Sequence, residues 1–132
     1  MPAISTKVDI RSKYVGRYAM YVTENSGRDT TIFKDTAYNC IMLVSYTPHD
    51  SIFTAVNPYV YIPSLFFSII DADTTPFHEL GIDSRGKLYR NYGSVYSYAT
   101  GGFLSNDSVN VEIKWGGWHD HSTDSIRGHK IP

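Results

Sequence analysis

The sequence predicts an all-β chain folded as one antiparallel up-and-down barrel of roughly eight to ten strands. Three observations lead there: the residue types that dominate, the way they alternate, and the frequency of turns. Val, Ile, Thr, Tyr, Phe and Trp make up 51 of the 132 residues, against 29 for Ala, Leu, Glu, Lys, Arg and Met. β-Branched and aromatic side chains lose rotamer freedom on a helix but pack well on a pleated surface. The acids are 10 Asp and only 3 Glu, and the short Asp side chain caps turns. No segment sustains a helical apolar period, whereas period-two alternation recurs throughout.

The elements follow in order. Tyr14, Gly16, Tyr18, Met20 and Val22 share one face of a first strand, with Arg17 on the other. Asn25-Ser26-Gly27 reads as a turn, after which residues 28–34 continue or pair with that strand. In residues 36–47, Tyr38, Cys40, Met42, Val44 and Tyr46 lie on one face, and Ile41 and Leu43 on the other. Pro48-His49-Asp50 turns the chain into a short strand over residues 51–56. Pro58 and Pro63 make residues 59–62 an edge, a loop or a strand start, because proline cannot donate to a ladder. Residues 65–70 are continuously apolar, which suits a strand buried on both sides or a short helical lid. Residues 77–82 and 87–92 flank the hairpin turn Asp83-Ser84-Arg85-Gly86. Residues 94–104 form a long strand interrupted by Gly101-Gly102. After the turn Ser105-Asn106-Asp107, Val109, Val111, Ile113 and Trp115 alternate with Asn110, Glu112 and Lys114, the pattern of a half-buried antiparallel strand. Residues 125–131 supply the last strand. Residues 1–12 read as an N-terminal extension and 13–132 as one barrel domain, without repeats or low-complexity tracts.

Composition narrows the function. The formal net charge is −1, so there is no electrostatic footprint for nucleic acid or an anionic membrane surface. No apolar stretch is long enough for a membrane-spanning helix. The start of the chain is polar and carries Pro2, unlike a secretory signal. The chain is then either cytoplasmic or a mature exported protein whose Met1 was added as a start. Cys40 is the single cysteine, so no intramolecular disulfide can form. Its apolar neighbours suit a small buried hydrophobe better than an activated thiol.

Lys13-Tyr14-Val15-Gly16-Arg17-Tyr18 resembles the first strand of the lipocalin and calycin superfamily, whose Gly-x-Trp ring plugs one end of the barrel. Here Tyr18 stands in the place of the Trp. The superfamily's last strand carries an Arg over that ring, and Arg127 is the counterpart that the resemblance implies. A guanidinium over an aromatic face is attractive and would seal the floor. Residues 101–111 are similar to the penultimate hairpin of small lipocalin-like domains found in exported bacterial proteins and lipoproteins. The resemblance implies a closed antiparallel barrel outside the cytoplasm or in the cell envelope, with room for a small apolar ligand.

Candidate sites stand beside plainer readings. Tyr92, Tyr96 and Tyr98 share a strand face. They line a ligand cavity if inward, and form a stabilising ladder if outward. Strand parity names Tyr38, Met42, Tyr96, Tyr98 and Trp115 as the ligand lining. His119-Asp120-His121, with Asp124 and His129, offers metal-ligand types, but without a third ligand at diagnostic spacing. Ser97, His119 and Asp120 could form a triad only on paper, and Glu24, Glu79 and Glu112 are read on turns or polar faces. Gly101-Gly102 is too short to cradle a phosphate. Asn106-Asp107-Ser108 matches a glycosylation acceptor but suits a turn equally well.

The expected role is therefore non-enzymatic, without cofactor or metal: a small apolar or amphipathic ligand held in the barrel mouth, with residues 57–70 as a lid. The alternative is a protein- or glycan-interaction module that exposes Tyr59, Tyr61, Phe66 and Phe67. Burial or exposure of residues 65–70 bears on the choice.

Overall fold

In the computed structural model, residues 9–47, 51–53, 60–72, 77–90, 97–116 and 119–132 are described. They contain ten strands and no helix. These are β1 (Gly16–Arg28), β2 (Thr31–Tyr46), β3 (Ser51–Phe53), β4 (Val60–Ile62), β5 (Ser64–Ile69), β6 (Phe77–Ile82), β7 (Leu88–Arg90), β8 (Ser97–Ser105), β9 (Ser108–Gly116) and β10 (Asp120–Lys130). Eight of them form one antiparallel sheet in the order β7-β6-β5-β2-β1-β10-β9-β8, and β3 and β4 pair as a separate ribbon. Apart from that ribbon each strand neighbours its sequence neighbours, and β10 returns to β1. This is an up-and-down barrel. It is nearly closed between β7 and β8, where Lys87 bridges to Gly102 and the Phe103 N–H donates to the Gly86 carbonyl at 2.8 Å. The approach needs glycine twice. Gly86 has φ +85°, and a Cβ on Gly102 would run into the Gly86 carbonyl oxygen.

The alternation read from the sequence is the alternation of burial. Tyr18, Met20 and Val22 of β1 point inward and are buried, as are Cys40, Met42 and Val44 of β2. Val109, Val111 and Ile113 of β9 do the same. Two local expectations are corrected. Asn25-Ser26-Gly27 is not a turn: β1 runs on to Arg28, and the chain reverses at residues 29–30. Asp29 takes a left-handed φ of 52°, which a short polar side chain tolerates, and Gly27 instead sits at a register shift of the β1–β2 ladder. Of the two readings of residues 65–70, the strand holds through Ile69 and the helical lid does not. β5 is barrel wall, with Leu65, Phe67 and Ile69 inward and Phe66 and Ser68 on the other face.

One end of the barrel is plugged. Residues 9–14 form turns beneath it, anchored by Arg11, whose guanidinium donates to the Ser64 carbonyl at 3.0 Å and pairs with Asp9 at 2.8 Å. Tyr14 stacks on Phe103 with centroids 4.2 Å apart, and Tyr18 lies 6.0 Å from the same ring. The Tyr18 hydroxyl donates to the Tyr14 carbonyl at 2.7 Å. A cation does cover Tyr18, but it is not Arg127. Register places Lys130 opposite Tyr18 and Arg127 opposite Tyr21. The Lys130 ammonium lies 5.7 Å from the Tyr18 ring centroid, while the Arg127 guanidinium lies 5.0 Å from that of Tyr21, with Arg127 exposed on the outer face. The reason is parity. Ile126 points inward, so Arg127 must point outward.

Candidate functional site

The other end of the barrel is built differently. Above the apolar layer of Val22, Cys40, Ile69 and Ile113, the inward positions become polar strand by strand. On β1 the row Tyr18, Met20, Val22 ends in Glu24. On β2 the row Val44, Met42, Cys40 ends in Tyr38. On β6 Leu80 is followed by His78, on β7 Leu88 by Arg90, on β9 Ile113 by Trp115, and on β10 Ile126 by Asp124. Because the strands pair in one antiparallel sheet, these ends converge at the mouth.

Their bonds form a network. The Lys34 ammonium is 2.6 Å from Glu24 Oε2. The Tyr38 hydroxyl donates to Glu24 Oε1 at 3.1 Å, and Thr36 donates to Oε2 at 3.4 Å. Burial alone would push the Glu24 carboxyl up, but the bonds from Lys34 and Tyr38 outweigh it and hold the group below the usual carboxylate range. Burial, then the Glu24 charge, pushes the Tyr38 phenol well above its usual value. Across the mouth, His78 Nε2 is 3.0 Å from Asp124 Oδ2, and Asp124 is 8% exposed. The Arg90 guanidinium lies 5.1 Å from the Trp115 ring centroid, and the His78 ring is 6.4 Å from that of Trp115.

Two cavities open here and share Glu24 and Lys34. One, of about 630 Å³, is lined by Thr36, Tyr38, Asn39, Ile69 and Ala72 besides the shared pair. The other, of about 350 Å³, adds Asn25, Ser26, His78, Trp115, Ser122 and Asp124. A third concavity lies on the outer face over Ala19, Tyr21 and Arg127.

Of the residues that parity named, Tyr38 and Trp115 stand at the mouth. Met42 lies deeper in the core and is 2% exposed. Tyr98 is on the outer face, 44% exposed, because its neighbour Ala99 pairs with inward Ile113. It does not line the interior. Tyr96 and Tyr92 lie outside the described residues. Phe67 is fully buried and cannot belong to an exposed aromatic surface. Tyr59 lies outside the described residues, and Tyr61 falls in β4.

Glu24, Lys34, His78 and Arg90 are site residues that sequence reasoning missed, and Asp124 entered it only as a candidate metal ligand. Glu24, read on a turn or polar face, in fact points inward from β1, since that strand is longer than expected. The missed signal was the same alternation carried to the strand ends. The His-rich segment does not converge. His119 Nδ1 is 2.8 Å from Asp29, Asp124 turns inward to His78, and His129 is exposed. No cluster of three or more metal-ligating His, Cys, Asp or Glu side chains occurs among the described residues. No helix among the described residues is long and apolar enough to cross a membrane. No protein-family model matches the sequence, and no curated protein matches it significantly.

Proposed function

We propose that this protein is a non-enzymatic binding protein that holds a small amphipathic ligand in the open mouth of its barrel. The observation that carries the reading is the contrast between the two ends. One is sealed by Tyr14, Tyr18 and Phe103, and the other opens into cavities with aromatic walls and a polar network. Pockets that bind small molecules combine apolar walls with a few placed polar groups in this way. A wholly apolar ligand fits less well, because it would leave Glu24, Lys34, His78 and Asp124 against carbon.

The test is a titration with prodan, a neutral naphthalene dye whose emission shifts to the blue in an apolar site. Binding is expected, with Tyr38→Ala weakening it about fivefold, near 1 kcal/mol, and Tyr98→Ala leaving it unchanged. Native mass spectrometry of the purified protein is expected to show a retained small molecule. Absence of prodan binding, or equal sensitivity to both substitutions, overturns the reading.

A further inference from the structure

We propose that the mouth selects organic anions with ring-bearing bodies, and that Lys34 receives the anionic head. This rests on the binding reading above and deepens it. The polar groups of the mouth are not equally able to take a ligand. Glu24, its side chain 12% exposed, already accepts from Lys34, Tyr38 and Thr36. Asp124 is buried and bonded to His78. Both carboxylates are thus already engaged and largely shielded, so a cationic head finds less accessible charge at the mouth than an anionic head finds at Lys34.

Lys34 is in the opposite situation. An ammonium offers three donors in rotatable positions. Glu24 engages one, and the side chain remains half-exposed. Lys34 also borders both cavities, so a head bonded there leaves the ligand body free to enter either one. Each cavity presents an aromatic wall held in place. Tyr38 is fixed by its hydroxyl bond to Glu24, and Trp115 has the Arg90 guanidinium over its ring. Fixed aromatic faces favour planar rings, which stack without ordering a flexible chain. A charge-assisted bond from Lys34 to a carboxylate or sulfonate then fixes the orientation.

Glu24 competes with such a head for Lys34, and this makes the inference testable in both directions. Wild-type protein is titrated with anilinonaphthalenesulfonate, a ring-bearing anion, and with neutral prodan. Lys34→Met is expected to weaken the anionic dye about tenfold or more while changing prodan by less than about twofold. Glu24→Gln is expected to tighten the anionic dye about threefold or more, because it removes the rival charge. Circular dichroism and thermal melts check folding. Should Lys34→Met unfold by stranding Glu24, the Glu24→Gln result and the double variant decide. Equal weakening of both dyes in Lys34→Met, or no tightening in Glu24→Gln, overturns the inference. Wild type that binds prodan but not the anion overturns it while leaving the binding reading intact. Failure to bind either dye removes both.

Discussion

The plugged end supports a graded prediction at Tyr18. This side chain is 0% exposed, its ring packs on Phe103, and its hydroxyl donates to the Tyr14 carbonyl at 2.7 Å. Tyr18→Phe keeps the ring and deletes the donor, leaving a buried carbonyl without that partner. Losing one partner of a buried hydrogen bond costs about 1–3 kcal/mol. Tyr18→Ala also empties the ring site, and large-to-small aromatic changes in cores cost about 3–5 kcal/mol. Total stabilities are about 5–15 kcal/mol, so Tyr18→Ala is severe and Tyr18→Phe measurable. Arg127→Met is the control. It removes only an exposed cation–π contact to Tyr21 on the outer face, worth about 0.5–1 kcal/mol. Urea unfolding followed by circular dichroism gives all three values, provided the dependence on denaturant is unchanged. Melting temperatures should fall by roughly 3–5 °C per kcal/mol for a domain of this size. Because the plug lies at the end opposite the mouth, Tyr18→Phe is expected to retain prodan binding. The role of Tyr18 in the plug is refuted if Tyr18→Phe costs less than about 0.5 kcal/mol, the level of an inert surface change. It is equally refuted if Arg127→Met costs as much as Tyr18→Phe.

Two further predictions concern titratable groups. Cys40 is 6% exposed, and its thiol is pushed up to about 11, chiefly by burial. At pH 8 only on the order of one thiol in a thousand is ionised, so Ellman's reagent should react slowly with native protein and rapidly in denaturant. Rapid stoichiometric labelling of the native state would place Cys40 elsewhere. Glu24 has a folded-state carboxyl held below its usual value by Lys34 and Tyr38, against the opposing effect of burial. A depressed folded value means that its stabilisation is complete above the unfolded value and is lost as pH falls through the folded one. Glu24→Gln should therefore flatten the acid limb of a stability-versus-pH curve, measured by urea midpoints from neutral pH downward. An acid limb identical to wild type would contradict the Glu24–Lys34 network.

Much of the barrel was legible in the sequence because strand periodicity is local. Tyr18-x-Met20-x-Val22 and Val109-x-Val111-x-Ile113 each declare an inward face without reference to any other strand. The turns Asp83-Ser84-Arg85-Gly86 and Ser105-Asn106-Asp107 were equally plain, since Asp, Asn and Gly act on their own backbone. The exact strand ends were less legible. Asp29 could adopt the turn geometry as well as Asn25-Ser26-Gly27, and only the ladder with β2 decided between them. The mouth was half legible. Tyr38 and Trp115 follow from parity, but the partnership of Glu24 with Lys34 and of His78 with Asp124 does not.

What the chain determines by itself is which side chains alternate, where it can turn, and that its apolar faces must be buried against one another. Which polar ends meet was decided by tertiary structure alone. His78 and Asp124 are far apart in sequence and become neighbours only when the sheet curls round on itself and fixes the stagger of every ladder. The same stagger set Lys130 rather than Arg127 over Tyr18, because a shift of one residue reverses the face a side chain occupies.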